Sequence, residues 1–149
     1  MKFTSTISLL ALITSLASNT TIAAPTPLTA ENLWQVARPS GLTVSPDGQR
    51  AIFSLTKFDL NTDKGNADLQ LLELSTGKMT ALTSHPDNDT QPDWSPDGEF
   101  IVARKHFTNT RSLGAGEIWQ YHKTGGSGVM LTEKANDQKD LGEPAFSPD

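Results

Sequence analysis

Apolar positions recur along this chain in short clusters, each closed by a polar turn. Arg50-Ala51-Ile52-Phe53-Ser54-Leu55 and Glu99-Phe100-Ile101-Val102-Ala103 are rich in β-branched and aromatic residues, and each predicts a strand. Asp68 to Leu74 predicts another, with Leu69 and Leu71 alternating before the doubled Leu71-Leu72, and Glu117 to Tyr121 is its later counterpart. The polar, glycine-bearing segments Ser75-Thr76-Gly77-Lys78 and Thr124-Gly125-Gly126-Ser127-Gly128 follow them. These lead into the short strands Met79–Thr83 and Val129–Thr132. Helical periodicity is confined to Thr29–Ala37, where Thr29 offers an N-cap and Leu33, Val36 and Ala37 fall on one face.

The clusters repeat. Val44-Ser45-Pro46-Asp47-Gly48, Trp94-Ser95-Pro96-Asp97-Gly98 and Phe146-Ser147-Pro148-Asp149 share one pattern, with serines 50 and 52 residues apart. Leu82-Thr83 recurs as Leu131-Thr132 at an offset of 49. Within the motif, proline presets φ, aspartate bonds the following backbone and glycine takes a positive φ, so the chain must reverse there. Several short strands per fifty residues describe one blade of a β-propeller. The fold expected is all-β: an incomplete propeller of about two blades over residues 42–149, after a linker and short helix over 24–41. The third motif stops before its glycine, and a closed ring needs at least four blades, or roughly 200 residues at this period. The sequence therefore reads as truncated at the C-terminus. Open flanks are expected to expose apolar surface around Ile52, Leu71, Ile101 and Trp119 and to favour association.

The first residues read differently. Lys2, the apolar run Ile7–Leu16 and the small residues Thr21-Ile22-Ala23-Ala24 predict a signal peptide over 1–23, cleaved after Ala23. Ten apolar residues are about half of the ~20 that cross a bilayer. A periplasmic or secreted chain with no membrane attachment after cleavage is expected.

Composition narrows the chemistry. The 149 residues carry 12 basic and 17 acidic side chains, a net charge of -5, which argues against nucleic acid as a partner. With Cys 0 there is no disulfide framework, thiolate nucleophile or cysteine-ligated zinc.

The Ser-Pro-Asp-Gly blades over Leu42–Asp149 resemble the WD40-like repeats of TolB-like periplasmic proteins. Leu28 to Trp34, Val44 to Phe53, and Phe58-Asp59-Leu60-Asn61 through Leu69 resemble the propeller of exported prolyl oligopeptidase-family serine peptidases. Arg104 to Trp119 and Gly142 to Asp149 are instead similar to propellers fused to secreted metal-dependent amidohydrolases, the two likenesses meeting near Trp94–Gly98. The first resemblance implies an accessory propeller that screens access to a serine peptidase site. The second implies the same service to an amidohydrolase, and the TolB likeness implies a stand-alone module that binds peptide or protein. The implied partners are further blades and a hydrolase domain of the same parent chain.

No catalytic residue, cofactor or metal site is expected in the sequence itself. A nucleophile elbow needs Gly-x-Ser-x-Gly, and Gly125-Gly126-Ser127-Gly128-Val129 ends in valine, so it reads as a turn. His85, His106 and His122 stand 21 and 16 residues apart, without a His-x-His pair. Asp87, Asn88, Asp89 and Asp93 lack calcium-loop spacing and read as a polar inter-strand loop, and Asn88-Asp89-Thr90 matches a glycosylation sequon. Trp94, Trp119 and Phe146 read as packing between blades. The one basic cluster, Arg104, Lys105, His106 and Arg111, is the candidate partner-binding site.

Overall fold

The computed structural model describes residues 27–108, 114–132 and 142–147; the signal-peptide segment and Arg111 lie outside them. The order is α1 (Ala30–Gln35), β1 (Arg38–Val44), β2 (Arg50–Asp59), β3 (Lys64–Glu73), β4 (Met79–Ala81), β5 (Asn88–Trp94), β6 (Phe100–Thr108), β7 (Gly114–His122) and β8 (Val129–Met130). Two four-stranded antiparallel sheets result, ordered β1-β2-β3-β4 and β5-β6-β7-β8. They are two blades of an incomplete β-propeller.

Each Ser-Pro-Asp-Gly motif closes the hairpin between the first two strands of its blade. The Ser45 N–H donates to the Arg50 carbonyl at 2.9 Å, and the Gly48 N–H to the Ser45 carbonyl at 2.8 Å. Gly48 and Gly98 sit at φ 68° and 69°, where a side chain is disfavoured. The second landmark is equally repeated. Leu82 N–H bonds the Leu69 carbonyl and Leu131 N–H the Ile118 carbonyl, both at 2.8 Å. The Thr83 hydroxyl accepts from Leu69 N–H, and the Thr132 hydroxyl accepts from Ile118 N–H. The repeat is therefore one of hydrogen bonds as well as letters.

The blades pack face to face. Ile52 and Leu69 of the first, with Leu82 of the connection, cluster with Trp94, Ile101, Ala103 and Tyr121 of the second, and Leu71 and Trp119 close the rim. Ile52 and Ile101 are fully buried, contrary to the expectation of open apolar strands, because the two sheets cover each other. The exposed apolar groups include Leu42 and Val44 on β1 and Val129 and Leu131 at the far end. Trp94 and Trp119 do pack at the junction, from β5 and β7.

Two further expectations need correcting. The acidic stretch read as a loop is strand: β5 begins at Asn88, and its polar residues are held by the neighbouring blade. β1 begins at Arg38, so sheet structure reaches back into the stretch read as linker. In α1, capped by Thr29 through Asn32 N–H at 3.2 Å, no residue is buried, and Leu33 and Val36 are exposed. Trp34 anchors it instead, edge-on to Phe58 with ring centroids 5.4 Å apart, while the Arg38 guanidinium lies 4.7 Å from the Phe58 centroid.

Among the described residues no helix is long and apolar enough to cross a membrane.

Candidate functional site

Strand alternation divides the basic cluster. Arg104, Lys105 and His106 follow one another on β6, so the middle side chain points away from the other two. Lys105 is 8% exposed, its Nζ 3.9 Å from the Trp119 ring centroid. Trp119 Nε1 in turn donates to Glu117 at 2.9 Å. Arg104 and His106 line a cleft of about 350 Å³ with Thr56, Ala67, Asn88 and Thr90, at the junction of the blades. The cleft thus holds two of the four basic residues.

Beside it lies a polar knot that the sequence did not single out. The Asp89 side chain is completely buried. Tyr121 donates to its Oδ1 at 3.1 Å, Thr83 supplies a further side-chain hydrogen bond, and His85 Nε2 faces its Oδ2 at 3.4 Å. His85 Nδ1 accepts from the Asp87 N–H at 3.2 Å. Burial, the largest influence, holds the Asp89 carboxyl above its ordinary 3.8 against the hydrogen bonds and the charges of His85 and Lys105. Burial beside Asp89 also raises the Tyr121 phenol.

Main-chain groups extend the knot across the junction. The Ser54 hydroxyl donates to the Asp89 carbonyl at 2.7 Å, and the Ala67 N–H to Asn88 Oδ1 at 2.9 Å. Asn66 Nδ2 donates to the His85 carbonyl at 2.9 Å. The sequon asparagine is thereby an inter-blade contact. A sequence signal existed in the polar residues two to seven places before the second Ser-Pro-Asp-Gly, but their type suggested solvent.

The remaining candidates are scattered. His122 Nδ1 lies 2.7 Å from the Thr124 hydroxyl, and its ring packs edge-on against Phe100. Asp93 accepts from Trp94 N–H and, across 53 residues, from Phe146 N–H at 3.2 Å. The segment 125–128 is a turn in which a Cβ on Gly128 would come within 2.6 Å of the Tyr121 ring. Among the described residues no three His, Asp or Glu side chains converge on a metal position.

No family model matches the chain. Over 122 residues it is 25% identical to an uncharacterized peptidase, YuxL, of Bacillus subtilis (strain 168), covering 82% of this chain and 18% of that one. Over 92 residues it is 30% identical to a probable dipeptidyl-peptidase 5 of Emericella nidulans, covering 62% of this chain and 12% of the relative. The AtxE2 isopeptidase structure superposes with TM-score 0.59 at 18% identity, over 76% of this chain and 21% of that one. The chain therefore spans less than a fifth of the curated relatives it matches. It is similar to propeller segments of larger peptidases.

Proposed function

We propose that this chain supplies blades of an exported propeller that stands before the active site of a prolyl oligopeptidase-like serine peptidase and screens what reaches it. The observation that carries this reading is the partial match to peptidases, at 18% and 12% of their lengths, over residues that build blades here. The described blades offer a shared core and a buried polar knot, which suit a rigid barrier, and the Gly-x-Ser-x-Gly pattern of a nucleophile elbow is absent from the 149 residues. Chemistry belongs, on this reading, to a hydrolase domain of the parent chain. The apolar run Ile7–Leu16 after Lys2 supports export.

The test is the reading frame across Trp94–Gly98 and past Asp149. A downstream Gly-x-Ser-x-Gly is expected. Downstream His-x-His would assign the blades to an amidohydrolase, and a stop codon after about six blades would make the protein a stand-alone binding module; either outcome overturns the peptidase reading. The purified chain should hydrolyse neither peptide nor amide substrates.

A further inference from the structure

Both described turns contain the Asp-Gly dipeptide, among aspartyl links the one most prone to isoaspartate formation, since glycine places no side chain beside the attacking nitrogen. The glycine main-chain nitrogen attacks Cγ of the aspartate, forming an N–Cγ bond. The carboxyl C–O bond breaks, and its oxygen leaves as water with the carboxyl and amide protons. The resulting succinimide takes up one water. Opening at Cγ restores aspartate, while opening at the α-carbonyl leaves the chain running through Cγ.

We propose that Ser45 and Ser95 hold these links against that rearrangement, and that Asp47-Gly48 is the weaker of the two. Both reacting groups are engaged. The nucleophile is tied down because Gly48 N–H donates to the Ser45 carbonyl, and Gly98 N–H to the Ser95 carbonyl, each at 2.8 Å. The electrophile is held as well. Asp47 Oδ1 accepts from the Ser45 hydroxyl at 2.6 Å and from Gln49 N–H at 2.9 Å. Asp97 Oδ1 accepts from the Ser95 hydroxyl and from Glu99 N–H at 3.0 Å. The serines are fixed in their turn, since Ser45 Oγ accepts from Arg50 N–H at 3.0 Å and Ser95 Oγ from Phe100 N–H at 2.9 Å.

These bonds have a chemical consequence. Ring closure consumes the neutral acid, whose oxygen can leave as water, and the serine hydroxyl and the following N–H both favour the carboxylate. They hold Asp47 and Asp97 below the ordinary 3.8.

Steric protection differs between the turns. A Cβ placed on Gly48 would meet nothing within 4 Å, whereas one on Gly98 would lie 3.5 Å from Pro46 Cδ. The second turn leans on the first. The first depends on its hydrogen bonds alone, with Asp47 and Gly48 both exposed.

The test is peptide mapping of isoaspartate at Asp47 and Asp97 after prolonged incubation of the whole chain at neutral pH, folded and in urea. Folded protein should isomerise about tenfold more slowly than unfolded, the factor equivalent to one charge-assisted hydrogen bond, and Asp47 should exceed Asp97. Ser45→Ala should raise the rate at Asp47 by a similar factor and leave Asp97 unchanged, and Ser45→Thr, which keeps the hydroxyl, should restore it. Equal rates in folded and unfolded chains, Asp97 exceeding Asp47, or a folded Ser45→Ala chain with an unaltered Asp47 rate would overturn the proposal. A Ser45→Ala chain that unfolds would betray itself by raising Asp97 equally, and the wild-type comparison with urea then decides.

Discussion

Tyr121 on β7 donates its phenolic proton to the carboxylate of Asp89 on β5, at 3.1 Å across 32 residues of chain. The aspartate carbonyl also receives the Ser54 hydroxyl from the neighbouring blade. One residue thus joins the outer part of its own sheet to the sheet beside it.

Tyr121→Phe should therefore destabilise the chain by about 1–3 kcal/mol, because a buried carboxylate oxygen is left without its donor. Urea unfolding followed by tryptophan fluorescence measures this. A loss within error of zero would show that the hydrogen bond contributes nothing net.

The pH dependence follows from Asp89. Its carboxyl lies above 3.8 in the folded chain, so the native state takes up this proton before the unfolded state does as pH falls. The associated stability is fully present below the unfolded value and is lost as pH rises through the folded one. Wild type should therefore gain on Asp89→Asn as pH is lowered from about 7 towards about 4. Parallel stability curves for the two proteins would contradict the assignment.

Trp94 and Val44 occupy the same place in successive repeats, each immediately before its Ser-Pro-Asp-Gly, yet Trp94 is 5% exposed and Val44 48%. Trp94→Ala should cost about 3–5 kcal/mol through the cavity left between the blades. Val44→Ala should change stability by no more than about 0.5 kcal/mol. Thermal unfolding of both variants checks the contrast, and equal effects would mean that Trp94 adds nothing to the junction.

Export should remove residues 1–23. Intact-mass measurement of the protein recovered from the periplasm or the medium should find Ala24 at the N-terminus. A retained Met1 would exclude cleavage.

The strands flanking Ile52, Leu69, Ile101 and Ile118 were legible because apolar residues cluster there between turns whose chemistry is local. β5 was not. Asp87, Asn88, Asp89 and Asp93 read as a polar inter-strand loop, and it is Ser54, Ala67, Thr83 and Tyr121, distant in sequence, that supply partners to Asn88 and Asp89. Such pairing is long-range and leaves no periodic trace. The division of the basic cluster has a simpler reason: adjacency in sequence is opposition on a strand, which sends Lys105 to Trp119 and leaves Arg104 and His106 at the cleft.

The first strand of each blade shifts register at the same step, between Ser40 and Thr43 and between Thr90 and Asp93. Gly41 and Gln91 take left-handed backbone there, at φ 62° and 53°, and the two irregularities mesh: a Cβ on Gly41 would sit 3.3 Å from Pro92 Cδ. A side chain at position 41 would crowd Pro92 as well as meet the strain of its own φ, whereas Gln91 bears a side chain at the equivalent step. Despite their common pattern the two units are not interchangeable. A permuted gene that placed the second repeat ahead of the first would bring the side chain of Gln91 to the place of Gly41 and Leu42 to the place of Pro92, so the inner strands would meet through different groups.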